Sequence, residues 1–119
     1  MREAVIDLAA IDANIRTVAA IVNPARMLVV VKADAYGLGA ARVASALAAA
    51  GCRHFFVAHL DEAVALKPHL AAGTTLSVLH GPMPGTEDVF VQHGIRPVLN
   101  SRAQIDGWRA LAQRLDHEL

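Results

Sequence analysis

Lys32 closes an apolar run, Met27-Leu28-Val29-Val30-Val31, and leads into Ala33-Asp34-Ala35-Tyr36-Gly37-Leu38-Gly39. The length and β-branching of the run predict a strand over 27–31 buried on both faces, and the glycines after it predict a tight strand-to-helix turn. A lysine at such a strand end can sit where an ammonium is poorly solvated. Desolvation favours the neutral amine, the form that condenses with a carbonyl in Schiff-base chemistry. A strand-end lysine reaching into solvent has the same spacing, so position alone leaves both readings open. Asp34 reads as a residue that fixes the turn through backbone hydrogen bonds, not as a titrating catalyst.

Other groups that could do chemistry carry weaker patterns. Gly37-Leu38-Gly39-Ala40-Ala41-Arg42 departs from a dinucleotide-binding fingerprint, because arginine replaces the third glycine and five residues separate Val31 from Gly37. The six histidines, at 54, 59, 69, 80, 93 and 117, show no zinc-type spacing and read as surface or helix-end residues. Asp61 and Glu62 are adjacent and would point apart on a helix, so they read as favourable charge at a helix start. Cys52, the one cysteine, reads as a small residue near a helix-to-strand turn.

The elements that must place Lys32 follow from periodicity. Leu8, Ile11, Ile15, Val18 and Val22 form an amphipathic helical stripe stopped by Asn23-Pro24. After the strand at 27–31, an alanine-rich helix over 40–50 carries Val43 and Leu47 on one face and stops at Gly51. Phe55-Phe56-Val57 is a second strand, and Asp61-Glu62 opens a helix through Leu66 that Pro68 closes. A third strand spans 74–79. Thr86-Glu87-Asp88 reads as the cap and acidic first turn of a helix ending at Gly94, with a brief fourth strand over 96–99. Ser101-Arg102-Ala103-Gln104 fits a capping box, with Ile105, Trp108, Leu111 and Leu115 as the apolar face of the last helix.

This is an α/β chain of about four β/α units with a parallel sheet. Periodicity does not separate an open doubly wound sheet from part of a closed barrel. In both, ligands bind beyond the carboxyl ends of the strands, where Lys32 falls. The chain has 119 residues, 55% hydrophobic and 18% charged, with zero formal net charge: one small folded domain without a basic stripe for nucleic acid. No stretch of about 18 apolar residues exists to span a membrane. An acidic, unsignalled start (Glu3, Asp7) and a single cysteine predict a cytoplasmic location.

Val-Val-Lys-Ala-Asp-Ala-Tyr-Gly-Leu-Gly closely resembles the pyridoxal-phosphate attachment motif of alanine racemases, with Leu38 where that motif commonly has histidine. Further stretches are similar in order along the chain. Ala4-Val5-Ile6-Asp7-Leu8-Ala9-Ala10-Ile11, with Asn14 and Ile15, looks like the family's opening, where a short strand leads into the first helix. Phe56-Val57-Ala58-His59-Leu60-Asp61-Glu62-Ala63 looks like its second barrel strand and the helix start behind it. Ser77-Val78-Leu79-His80-Gly81 and Arg96-Pro97-Val98-Leu99-Asn100-Ser101 resemble the next two strand ends.

The resemblance implies the first half of a (β/α)8 barrel that binds pyridoxal 5'-phosphate and interconverts L- and D-alanine, supplying D-alanine for peptidoglycan. Carried over by motif position, Lys32 holds the cofactor covalently and acts as the base on one face of the substrate. Tyr36 binds the cofactor phosphate, while Val30 and Leu79 pack near its ring. The resemblance also implies a homodimer in the complete enzyme, with the opposite-face tyrosine donated by the partner's β-domain. Tyr36 is the only tyrosine here. The 119 residues are therefore expected to be the amino-terminal piece of such an enzyme, lacking the second half of the barrel and the β-domain. As an isolated piece it is expected to be inactive, with open sheet edges. Two alternatives stand beside this. One is another pyridoxal-phosphate barrel, a cofactor-homeostasis protein or an amino-acid decarboxylase; the other is a non-catalytic α/β binding module.

Overall fold

The structure, a computed structural model, describes residues 3–116. Helix α1 (Leu8–Val22) starts where Asp7 Oδ1 accepts from the Ala10 N–H at 3.1 Å and ends at Asn23, before the cis Asn23-Pro24 bond. There follow β1 (Val29–Val30), the turn α2 (Lys32–Tyr36), α3 (Ala40–Ala49), β2 (His54–Val57) and α4 (Leu60–Leu66). A 3₁₀ turn, Lys67–His69, then leads to β3 (Thr75–Val78), α5 (Glu87–His93), β4 (Arg96–Pro97) and α6 (Arg102–Leu115). No helix among the described residues is long and apolar enough to cross a membrane.

All strand pairs are parallel, and spatial order equals chain order, β1-β2-β3-β4. A doubly wound sheet reverses its order at a switch point, so the unbroken order is that of a barrel wall. The register puts Val29, Phe55 and Leu76 in one row and Val57 beside Val78 in another. These rows face the helices and form the core with Val43, Ala44, Leu47, Ala63, Leu66 and Phe90.

The other face of the sheet is covered less completely: Ser77 is buried and Phe56 half-buried at its middle, while the outer strands are open. Val30, Phe56, Ser77 and Arg96 line up across it, and at its edges Val30 is 37% exposed and Arg96 is exposed. This corrects the expectation of a strand at 27–31 buried on both faces. The paired strand is two residues long, and Leu28 is 58% exposed.

Several local expectations also change. Among the described residues no strand precedes α1; Val5 is 88% exposed and the described chain offers it no pairing partner. Val18, Ile105 and Leu115 are exposed at 37–45%, α1 has no fully buried residue and α6 buries only Leu111, so both apolar stripes pack less than their periodicity suggests, although Trp108 stacks edge-on against Phe90. The Thr86 hydroxyl donates back to the Met83 carbonyl instead of capping α5. Cys52 is buried; burial pushes its thiol up against the opposing charge of Arg53, as for an inert packing residue.

The capping box at α6 forms by half. Ser101 Oγ accepts from Gln104 N–H at 3.1 Å, while the Gln104 amide reaches further. Its Oε1 accepts from Asn100 N–H at 2.7 Å, and its Nε2 donates to the carbonyls of His80 and Pro82. Gly81 sits under this bridge at φ +70°, where a Cβ would strike the Val98 carbonyl and come 2.7 Å from Gln104 Oε1. Gly81→Ala is therefore expected to lose about 2–4 kcal/mol, from overpacking and left-handed strain together. Gly85→Ala, at φ +87° with open space around it, should lose about 1 kcal/mol. Urea denaturation of both variants checks this, and equal losses would deny the close approach at Gly81.

Candidate functional site

The chain leaves the extended conformation at Val31, whose ψ is 29°, one residue before the lysine. Ala33, Asp34, Ala35 and Tyr36 then all have positive φ, 51–56°, so α2 is a left-handed helical turn. Its internal bonds run from Ala35 N–H to Val31 O and from Gly37 N–H to Ala33 O, both 2.9 Å. L-residues resist this conformation by about 1–2 kcal/mol each, so four in a row cost roughly 4–8 kcal/mol. Gly37 continues the turn at φ +86° without that cost.

Three features fix the turn against this strain. Ala35 is buried in the core. Asp34 Oδ1 accepts from the Ala40 N–H at 2.8 Å, and the Asp34 carbonyl accepts from Gly39 N–H at 2.9 Å. Asp34 thus fixes the turn, as expected, by capping α3. Its carboxylate meets that helix start, where a dinucleotide phosphate would otherwise bind. The third feature is Glu62. Its Oε2 accepts from Ala33 N–H at 2.7 Å while Oε1 accepts from Ala58 and His59 N–H at 3.1 and 2.9 Å.

Lys32 is half-buried at the carboxyl end of β1, and among the described residues no hydrogen bond or ion pair engages its ammonium. Tyr36 lies at the far end of the same turn, 64% exposed. Val30 ends β1 and Leu79 directly follows β3, with β2 between those strands. Val30 aligns through Phe56 with Ser77, and half-buried Leu79 follows two residues on, its N–H donating to Val57 O at 2.8 Å. All four candidates lie toward the carboxyl end of the sheet, Lys32 and Tyr36 on one turn and Val30 and Leu79 two strands apart.

A cleft of about 390 Å³ behind the turn is walled by Asp34, Asp61, Glu62 and His69, and neither Lys32 nor Tyr36 lines it. The carboxylates there serve the backbone, with Asp61 Oδ1 accepting from Glu62 N–H at 3.0 Å. The second lysine, Lys67, donates to the Gly94 carbonyl at the end of α5. Elsewhere at this end of the sheet, His59 and His80 meet edge-on with ring centroids 4.4 Å apart. The long-range bond of Glu62 escaped the sequence reading, since Glu62 and Ala33 are 29 residues apart. The available signal was the placement of Glu62 three residues after the helix-starting His59.

Asp34→Ala should cost about 0.5–2 kcal/mol through the lost cap on α3, and Asp34→Asn, which keeps an acceptor oxygen, less. Hydrogen exchange would read this at the Ala40 amide; unchanged exchange there would contradict the assigned bond.

Comparison with known proteins gives a consistent result. The family model described as "Alanine racemase, N-terminal domain" matches residues 6–119. The chain is 58% identical over 114 residues to the alanine racemase of Brucella ovis, covering 96% of this chain and 29% of that protein. It is 53% identical over 110 residues to a catabolic alanine racemase of Rhizobium johnstonii, covering 92% and 29%. Among solved structures, alanine racemase from Bartonella henselae with covalently bound pyridoxal phosphate superposes with a TM-score of 0.91 at 46% identity, over 94% of this chain and 31% of that one. The chain thus spans about 29% of the length of the curated relatives it matches.

Proposed function

We propose, on the premise that this chain belongs to the alanine racemase N-terminal domain family, that it supplies the lysine half of a pyridoxal-phosphate-dependent alanine racemase. The observation that carries the reading is Lys32, unpartnered among the described residues at a strand's carboxyl end, on a turn that its neighbours hold in place. The residues present suit the cofactor. A free amine can bond its aldehyde carbon, the exposed Tyr36 hydroxyl can donate to its phosphate, and the apolar Val30 and Leu79 stand on the same end of the sheet.

When bound, pyridoxal phosphate supplies the electron withdrawal that lets an amino acid lose its Cα proton near neutral pH. Lys32 would hold the cofactor and, through Nζ, take and return that proton on one face. Tyr36 Oη would hold the phosphate end, and Val30 and Leu79 would exclude water beside the ring. Inverting the centre needs a second acid–base group on the other face, and Tyr36 is the chain's one tyrosine. By the resemblance to alanine racemases, that second group is proposed to be a tyrosine from outside these 119 residues, in a β-domain of a second copy in a homodimer. Sedimentation showing an active monomer would exclude the dimer. Supply of D-alanine to peptidoglycan is proposed on the same resemblance; a deletion strain that grows without added D-alanine would remove it.

In the complete enzyme, Lys32→Ala should abolish both the protein-bound visible absorbance of the cofactor and racemisation, while Lys67→Ala should leave both. Normal absorbance in the Lys32 variant would overturn the assignment, and no protein-bound absorbance in the wild type would favour the binding-module reading. Decarboxylation of an amino acid in place of racemisation would instead favour another pyridoxal-phosphate barrel.

Tyr36→Phe should weaken cofactor retention more than it slows turnover at saturating cofactor. One charge-assisted hydrogen bond is worth roughly 1.5–3 kcal/mol, about 10- to 150-fold in affinity. Equilibrium dialysis of cofactor from the variant reads this; unchanged retention would place Tyr36 away from the phosphate.

A further inference from the structure

We propose that Glu62 is a positioning residue for Lys32: its carboxylate is the clamp that registers the left-handed lysine turn against the end of β2. The inference rests on the reading of Lys32 given above. Glu62 Oε1 is held from one side by the Ala58 and His59 amides, at 3.1 and 2.9 Å, which fixes the carboxylate to the strand end. That leaves Oε2 to take the Ala33 N–H at 2.7 Å, the shortest of the three bonds. Ala33 directly follows Lys32, and its amide is at the start of the turn, where α2 supplies no acceptor of its own.

The remaining anchors of the turn act further along. Ala35 is buried two residues on, and Asp34 ties the turn forward to α3, away from the lysine. Glu62 is therefore the one side-chain bond among the described residues that fixes the peptide unit joining Lys32 to Ala33. Without it, four strained residues could relax toward ordinary φ values beginning at that unit, and the lysine Cα would move with them. Displacement of a reacting group by about 1 Å can cost a factor of 10² in rate.

The geometry also provides a selective variant. In Glu62→Gln, the amide oxygen can keep accepting from Ala58 and His59 and so keep α4 capped. The NH2 group then faces the Ala33 N–H as donor against donor. The lysine turn is released while the helix start is retained.

The experiment uses the complete enzyme carrying this segment and compares wild type, Glu62→Gln and Ser101→Ala, which loses a helix cap on α6 away from the turn. Hydrogen exchange by NMR reads the Ala33, Ala58 and His59 amides. Steady-state kinetics separates kcat from KM, and borohydride reduction counts cofactor fixed on Lys32. In Glu62→Gln, Ala33 exchange is expected to quicken about tenfold or more with Ala58 and His59 nearly unchanged, matching loss of one charge-assisted bond. kcat should fall about 10- to 100-fold with KM for alanine changed by less than about threefold. Ser101→Ala should change neither.

Wild-type Ala33 exchanging as fast as an unstructured amide would overturn the clamp without need of any variant. Equal kcat losses in Glu62→Gln and Ser101→Ala would reduce Glu62 to a general stabiliser, and unaltered kcat in Glu62→Gln would reduce it to a cap for α4. Failure of wild type itself to fix cofactor on Lys32 would instead sink the reading of Lys32, with Ala33 exchange still deciding whether Glu62 holds the turn.

Discussion

Four consecutive L-residues in the left-handed region set the terms for the rest of this structure. Ala33 through Tyr36 hold φ near +55°, a conformation opposed by roughly 4–8 kcal/mol in sum. A whole domain is stable by only about 5–15 kcal/mol, so this turn survives because its surroundings over-determine it. Its burial comes from Ala35, its link to the next helix from Asp34, and its link to the neighbouring strand from Glu62. A right-handed turn at Val31 would carry the chain on as an ordinary helix and deliver Lys32 and Tyr36 differently. The left-handed one places both on a short, stiff loop at the carboxyl end of β1.

The sheet supplies the frame for that loop. Parallel strands in unbroken order put all strand ends on one side, and helices cover one face. The rows Val29–Phe55–Leu76 and Val57–Val78 make a dense layer behind the strands, so the strand ends cannot shift independently. Cross-links at the ends then tie unit to unit. Glu62 joins the α2 turn to β2, and Gln104 and Asn100 join the loop after β3 to the end of β4. Each link is a side chain from an early turn of a helix, or just before one, satisfying backbone groups of a neighbouring unit. The same device recurs along the wall.

Much of this was legible in the sequence because it depends on local rules. The β/α alternation, the helix stops at Asn23 and Gly94, and Lys32 at a strand end all follow from periodicity, caps and turn residues. Asp34 was legible as a turn-fixing residue because short acids seek nearby amides. The handedness of the turn was not. Alanine is the best right-handed helix former, and nothing in Ala-Asp-Ala-Tyr favours positive φ; tertiary bonds overrule propensity there. The Glu62–Ala33 bond spans 29 residues and has no periodic signature. The short β1 was misread as fully buried because an apolar run reports that a face is dry in the finished fold, not which element covers it.

The distribution of carboxylates around Lys32 completes the physical picture. Asp34 and Glu62 are near neighbours of the lysine in sequence or space, yet both are engaged by backbone N–H groups and neither pairs with its ammonium. A carboxylate at 4 Å would hold an ammonium by about 4 kcal/mol at an effective dielectric of 20, an attraction any reaction at the amine would have to overcome. Amides satisfy the carboxylates without that competition, because a backbone N–H is neutral and fixed in place. The same two acids therefore do two compatible things: they hold a strained backbone rigid and leave the amine it carries unclaimed. A rigid backbone and an uncommitted amine are separate demands on a turn, and here two side chains that bond only to backbone amides meet both.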